Sequence, residues 1–185
     1  MNDTIKVLCE RRSVRSYKDK QVPKEILDEI LKCGTFAPSG MGLQSAVIIA
    51  IQDKELIKKI AKINASIMGR DNDPFYGAPT LVIVFAKKDI PTYIKDGSAV
   101  MTNILNAAFS LGVDSCWIDR AKETFETNDG KELLASFNLD DNYEGIGNII
   151  LGYRDGDLPI AKKRKENYII YRLSLIHISE PTRLG

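Results

Sequence analysis

Four short apolar runs, Ala46 to Ile51, Leu81 to Phe85, Ser115 to Ile118 and Ile146 to Leu151, restrict the possible folds more than any other feature. None shows the alternation of a half-solvated strand, so each reads as a strand buried on both faces. A sheet of that kind needs helices on both sides, and helical patterns do stand between the runs. The first starts near Asp3 or Thr4, either of which can cap it, and carries Ile5, Leu8 and Cys9 at three- and four-residue spacing. A second opens at Pro23, shows Ile26, Leu27, Ile30 and Leu31 on one face, and is expected to stop at Gly34. Asp53 can cap a third, with Leu56, Ile57, Ile60 and Ala61 facing inward. The longest, about Lys95 to Leu111, ends at Gly112 and is apolar nearly all round except for a stripe of Thr102, Asn103, Asn106 and Ser110. A helix with so little charge is expected to be central or to lie at a subunit interface. Residues Met68 to Pro79 read as one exposed loop. Gly145 and Gly147 lie within a strand-like run and do not open a helix, so the chain lacks a dinucleotide-binding fingerprint, and an α+β sandwich is expected.

A length of 185 residues with 44% hydrophobic content suits one domain with a substantial core. Lysine and arginine number 26 against 25 acids, so no global charge favours nucleic acid or an anionic membrane as partner. Anion binding must come from local clusters. The N-terminal residues never form the apolar run of a signal peptide, and no stretch reaches membrane-spanning length. Cys9, Cys33 and Cys116 are far apart and odd in number, which fits a reduced, cytoplasmic setting better than a disulfide framework or zinc site. Leu173 to Arg183 resembles the translation of a transposon adapter used in sequencing libraries, so residues 1–172 are read as the domain and 173–185 as a non-native tail. The only histidine, His177, falls in that tail and receives no role. Without histidine as far as Arg172, Ser-His-Asp and Cys-His nucleophile systems are excluded and a catalytic metal is disfavoured.

Four segments carry the candidate chemistry. Arg11-Arg12-Ser13-Val14-Arg15 offers three guanidinium groups and a hydroxyl, whose forked donors match phosphate oxygens, although a solvated basic helix end reads the same way in isolation. Ala37-Pro38-Ser39-Gly40-Met41-Gly42-Leu43-Gln44-Ser45 joins a helix to a strand; its glycines let backbone approach a flat ligand, while Ser39 and Gln44 can pair with a pyrimidine edge. An ordinary helix-to-strand connection is the plain alternative. Gly112 to Glu123 is a strand, including Trp117, that ends in a polar loop, and Trp117 also suits the core. The fourth segment runs from Gly152-Tyr153 to the basic stretch Lys162-Lys163-Arg164-Lys165.

In order and spacing, from Ile5 to Tyr171, these segments resemble the FMN-dependent nitroreductase family. The resemblance implies a central, mainly antiparallel sheet flanked by helices, and a homodimer with FMN at the subunit interface. It implies that Arg11, Arg12 and Ser13 hold the FMN phosphate and ribityl end with Lys162 and Arg164, and that Arg15 sits near N1 and the O2 carbonyl, where a positive charge raises the flavin potential. Pro38, Ser39, Gly40, Met41 and Gln44 would line the ring from the other subunit, backbone around Trp117, Ile118 and Asp119 would flank it near N5, and Asn103 is a further contact. The implied activity is NADH- or NADPH-dependent reduction of an electron-poor acceptor, with both substrates using one flavin face in turn. Many relatives place asparagine at Gly42 and a Pro-Trp pair at Ser45-Ala46, so one ring contact is expected to be missing or replaced by Gln44. The chain is also short for the family, which implies an open substrate pocket. Two alternatives stay open: a flavin-binding or flavin-processing protein without turnover, and a small nucleic-acid-binding or scaffold domain using the basic clusters, against which the balanced charge argues.

Overall fold

The computed structural model describes residues 1–172. The tail segment and His177 lie outside the described residues. Four strands, β1 (Ala46–Ile51), β2 (Thr80–Lys87), β3 (Asp114–Ile118) and β4 (Tyr143–Gly152), form one antiparallel sheet in the order β1-β2-β4-β3. Helices α2 (Lys24–Thr35) and α4 (Tyr93–Ser110) cover one face, and α3 (Lys54–Ile67), α5 (Ala121–Glu126) and α6 (Asn128–Ser136) the other. Helix α1 (Asp3–Glu10) lies before them in the chain. This is the expected α+β sandwich.

The apolar runs of β2, β3 and β4 follow from two-sided burial, but β1, expected to be buried likewise, is half-buried from Ala46 to Ile49, exposed at Ala50 and buried only at Ile51, because it is an edge strand. Along β2, Leu81, Ile83 and Phe85 enter the core under α3, α5 and α6, while Val82 and Val84 enter the core under α2 and α4. All five have no exposed surface. A bulge between Val84 and Phe85 sets Ile146 and Gly147 of β4 opposite one residue. Both therefore face α4, where a Cβ on Gly147 would meet Met101 and Trp117, whereas Gly145 faces α5 and lets the Ala121 backbone approach.

Several boundaries differ from those expected. Asn2, not Asp3 or Thr4, caps α1 by accepting from the Ile5 N–H at 3.0 Å. None of its residues is buried, and Ile5, Leu8 and Cys9 are exposed. Gly34 does not stop α2 but lies inside it, where the absence of a Cβ admits Ile104 of α4. Asp53 caps α3 as expected, accepting from Glu55 and Leu56. The stretch 68–79 is not wholly exposed, because Phe75, 1% exposed, is inserted into the core. The polar stretch after β3 is mostly helical, since α5 begins at Ala121. No helix among the described residues is long and apolar enough to cross a membrane.

Candidate functional site

The arginine cluster leaves α1 and is fastened to the free edge of β3. Ser13 forms a parallel bridge with Ser115, and the Val14 N–H donates to the Ser115 carbonyl at 3.0 Å. Val14 is 3% exposed and acts as a plug, and the Tyr17 hydroxyl donates to its carbonyl at 2.8 Å. Burial, with the charges of Cys116 and Asp114, holds that phenol protonated far above its ordinary range. Arg12 folds back onto the helix end, donating to the carbonyls of Cys9 (2.8 Å) and Arg11 (2.7 Å). Arg11 and Arg12 are half-buried and Arg15 is exposed. Burial, then the neighbouring Arg12 charge, lowers the Arg11 pKa. Among the described residues, no carboxylate forms an ion pair with Arg11, Arg12 or Arg15. Two adjacent, partly desolvated guanidinium groups with no acidic partner suit a multiply charged anion.

The same edge carries the backbone of Trp117. Alternation along an antiparallel strand sends its N–H and C=O to the side on which Ser115 meets Val14. The indole is half-buried against the core beneath α4, and Ile118 is buried. The Asp119 side chain is exposed, while its carbonyl turns inward to accept from Asn64 Nδ2 (3.0 Å) and Asn148 Nδ2 (3.3 Å). Arg120 follows in the left-handed region, with φ 68° and ψ 24°.

The loop from Pro38 to Gln44 is anchored to α4. Its centre is a single 3-10 turn, Gly40–Gly42, and Met41, Gly42 and Gln44 all have positive φ. Non-glycine residues in that region cost about 1–3 kcal/mol each unless their surroundings fix them. Asp96, 4% exposed, does much of the fixing: it accepts from the Gly40 N–H (3.0 Å), the Ser45 hydroxyl (2.9 Å) and the Thr92 hydroxyl (3.0 Å). Burial pushes the Asp96 carboxyl up, and the three hydrogen bonds outweigh it, so the group sits below its ordinary value. Ser39 Oγ accepts from the Gln44 N–H at 3.1 Å, and Met41 is left 86% exposed. Beside the loop, a cavity of about 570 Å³ opens between α2, α4 and β1, lined by Leu31, Ser39, Gln44, Ile48 and Val100 among others.

The chain brings together only some of the sequence-predicted residues. The arginine cluster and Trp117–Asp119 share the β3 edge, and Tyr153–Asp155, the root of the basic stretch, runs alongside Ser16–Lys18. Arg154 there pairs with the buried Asp114 at 3.0 Å. Lys162 and Arg164 are exposed, Arg164 donating to the Lys162 carbonyl, and no hydrogen bond joins them to the cluster. Asn103 lies on the polar side of α4 and donates to the Cys33 carbonyl at 3.1 Å. The Pro38–Gln44 loop is distant. Its root at Ala46 pairs at the Ala86 end of the sheet on edge strand β1, whereas Ser115 pairs with Leu151 at the Thr80 end on edge strand β3. The two roots are about 20 Å apart along the strands and about 14 Å across them, roughly 24 Å corner to corner. Asp96, Asn64, Asn148 and Arg120 escaped the sequence reading. The available signal was position: Asn64 shares the helical register of Ile57, Ile60 and Ala61, and Asn148 interrupts an apolar strand.

A model of the Nitroreductase family matches residues 8–153. A protein of Archaeoglobus fulgidus with the provisional name NADH dehydrogenase/NAD(P)H nitroreductase is 32% identical over 123 residues, which are 64% of this chain and 68% of that one. A Bacillus subtilis protein named as an NAD(P)H-type FMN reductase is 44% identical over 63 residues, 34% of this chain but only 25% of its own length. Among solved structures, a nitroreductase with bound FMN from Bacteroides fragilis superposes with a TM-score of 0.87 at 29% identity, covering 94% of this chain and 100% of that one.

Proposed function

The chain belongs to the nitroreductase family, and from that premise we propose that it is an FMN-dependent oxidoreductase that takes reducing equivalents from NADH or NADPH and delivers them to an electron-poor acceptor such as a nitroaromatic or a quinone. The observation that carries this reading is the Arg11–Arg12 pair, half-buried at the edge of β3 and free of ion pairs with carboxylates among the described residues. A ligand with a terminal phosphate and a flat, hydrogen-bonding ring fits such an edge. Arg11, Arg12 and Ser13 hold the phosphate, with Lys162 and Arg164 closing on it. Arg15, exposed and one residue beyond the Val14 plug, supplies positive charge to the pyrimidine side of the ring.

The corner-to-corner separation supports a two-chain site. Pro38, Ser39, Gly40, Met41 and Gln44 stand at the far corner of the sheet from their own chain's arginine cluster, so in this reading the ring-lining groups come from a second copy of the chain. Asn103 serves as a further contact. When bound, FMN supplies two-electron chemistry at N5, linking a nicotinamide donor to the acceptor. The chain's own residues bind and orient the cofactor, tune its charge environment and hold both substrates over one face in succession. No residue is assigned as a general acid, and protons come from solvent.

The test is direct. The purified chain should be yellow, release a compound with the mass of FMN and elute as a dimer; anaerobic mixing with NADH or NADPH should bleach the colour. A colourless protein that cannot be loaded with FMN would overturn the proposal, and a loaded protein that neither nucleotide bleaches would leave a flavin-binding protein without turnover.

A further inference from the structure

We infer that Asn64 of α3 and Asn148 of β4 are positioning residues for the Asp119–Arg120 peptide, holding its N–H outward as a donor to the edge of the flavin ring. The inference rests on the proposed FMN site and extends it to residues that do not touch the cofactor. Both asparagines have no exposed surface. They come from opposite parts of the chain, and their amides converge on the Asp119 carbonyl at 3.0 and 3.3 Å. A carbonyl oxygen has two lone pairs, and here both are engaged.

Because a trans peptide is planar, a carbonyl pinned inward turns the next N–H outward. The Arg120 N–H has no acceptor among the described residues. It lies just beyond the Trp117 edge that the arginine cluster borders. The orientation is strained, since Arg120 has φ 68° and is not glycine. Rotating this one peptide by half a turn would bring φ to a negative value that any residue adopts, and would replace the outward N–H with an outward C=O. The two amides oppose that rotation. Arg120 reinforces them, donating through Nη2 to Asn64 Oδ1 at 3.4 Å, and Thr124 Oγ1 accepts from Asn64 Nδ2 at 3.2 Å. The strained residue thus helps to orient the amide that maintains its strain.

The experiment compares the unaltered chain with Asn64→Ala, Asn148→Ala and the double variant Asn148→Ala/Arg120→Gly, each checked for native circular dichroism. Three-bond HN–Hα couplings of residue 120 in FMN-free protein report its φ and so the peptide's orientation; the midpoint potential of loaded protein reports its effect on the ring. The single variants should retain FMN, raise the Arg120 coupling as φ turns negative, and shift the potential positive because a carbonyl favours the ring protonated at N5. The double variant should return toward the unaltered values, since glycine carries no strain to drive the rotation. Folded, FMN-loaded single variants with unchanged coupling and potential would overturn the inference. So would a double variant no closer to the unaltered chain than Asn148→Ala. If the unaltered chain binds no FMN, the site reading fails and the flavin-directed role fails with it, while the coupling still reports whether the amides hold the peptide.

Discussion

Replacing Asp96 tests whether the Pro38–Gln44 loop is held from within its own chain. The carboxylate is nearly buried and accepts three hydrogen bonds, and no cation forms an ion pair with it among the described residues. Hydrogen bonds to an ionised acceptor are worth about 1.5–3 kcal/mol each, from which the cost of desolvating the charge must be subtracted. In Asp96→Ala the two hydroxyls can turn toward water, but the Gly40 N–H is fixed by the turn, so we expect a loss of about 3 kcal/mol. In Asp96→Asn one oxygen still serves Gly40, while the new NH₂ faces hydroxyls that can accept, so the loss should be about 1 kcal/mol. With a urea dependence near 2 kcal/mol per molar, the two unfolding midpoints should differ by about 1 M. The pH dependence adds a second signature. A carboxylate held below its ordinary value contributes stability that is fully present above the unfolded-state value of 3.8 and is lost as pH falls through the lowered one. Asp96→Asn should therefore lose less stability below that value than the unaltered chain. Coincident midpoints for the two variants, or the same acid slope with and without Asp96, would refute the reasoning.

Other perturbations are expected to separate the remaining roles. Arg11→Ala and Ser13→Ala should each weaken FMN retention measured by ultrafiltration, about tenfold for the arginine, whereas Arg15→Ala should keep the cofactor and lower its potential; identical behaviour would contradict this division of roles. Arg154→Ala leaves the Asp114 carboxylate buried without its partner and should cost about 3 kcal/mol in urea denaturation at neutral pH. Gly34→Ala places a Cβ 2.8 Å from Ile104 Cγ1, and the overpacking, about 1–3 kcal/mol, should exceed the helix-propensity gain of about 1 kcal/mol. Adding Ile104→Val should then restore part of the loss.

The elements that could be read from the sequence are those whose cause is local. Unbroken apolar runs marked all four strands, in β2 and β4 because alternation buries them in two cores and in edge strand β1 although it is only partly covered, and Asp53 marked the start of α3 because capping acts over three residues. Helices α5 and α6 offered no comparable signal: they are short, and their Phe125, Leu133 and Leu134 acquire meaning only against Ile83 and Phe85 of the sheet. Gly34 located the end of α2 to within one residue, but its missing Cβ serves the close approach of Ile104 of α4 and not a left-handed cap. The same division holds at the site. The arginine cluster is contiguous and visible, whereas Asp96 meets Gly40 and Ser45 at separations of 56 and 51 residues, and Asn64 meets Asp119 at 55. Such contacts follow from topology and leave no short-range pattern.

Placing the arginines and the ring-lining loop at opposite corners of the sheet also affects how damage spreads. In the proposed two-chain site each copy would give its arginines to one cofactor and its loop to the other. A pair formed from one chain lacking Arg11 and another lacking the loop gathers both defects into a single site and leaves its twin whole. Two alleles that are each inactive alone can therefore restore activity together, and neither defect is confined to the subunit that carries it.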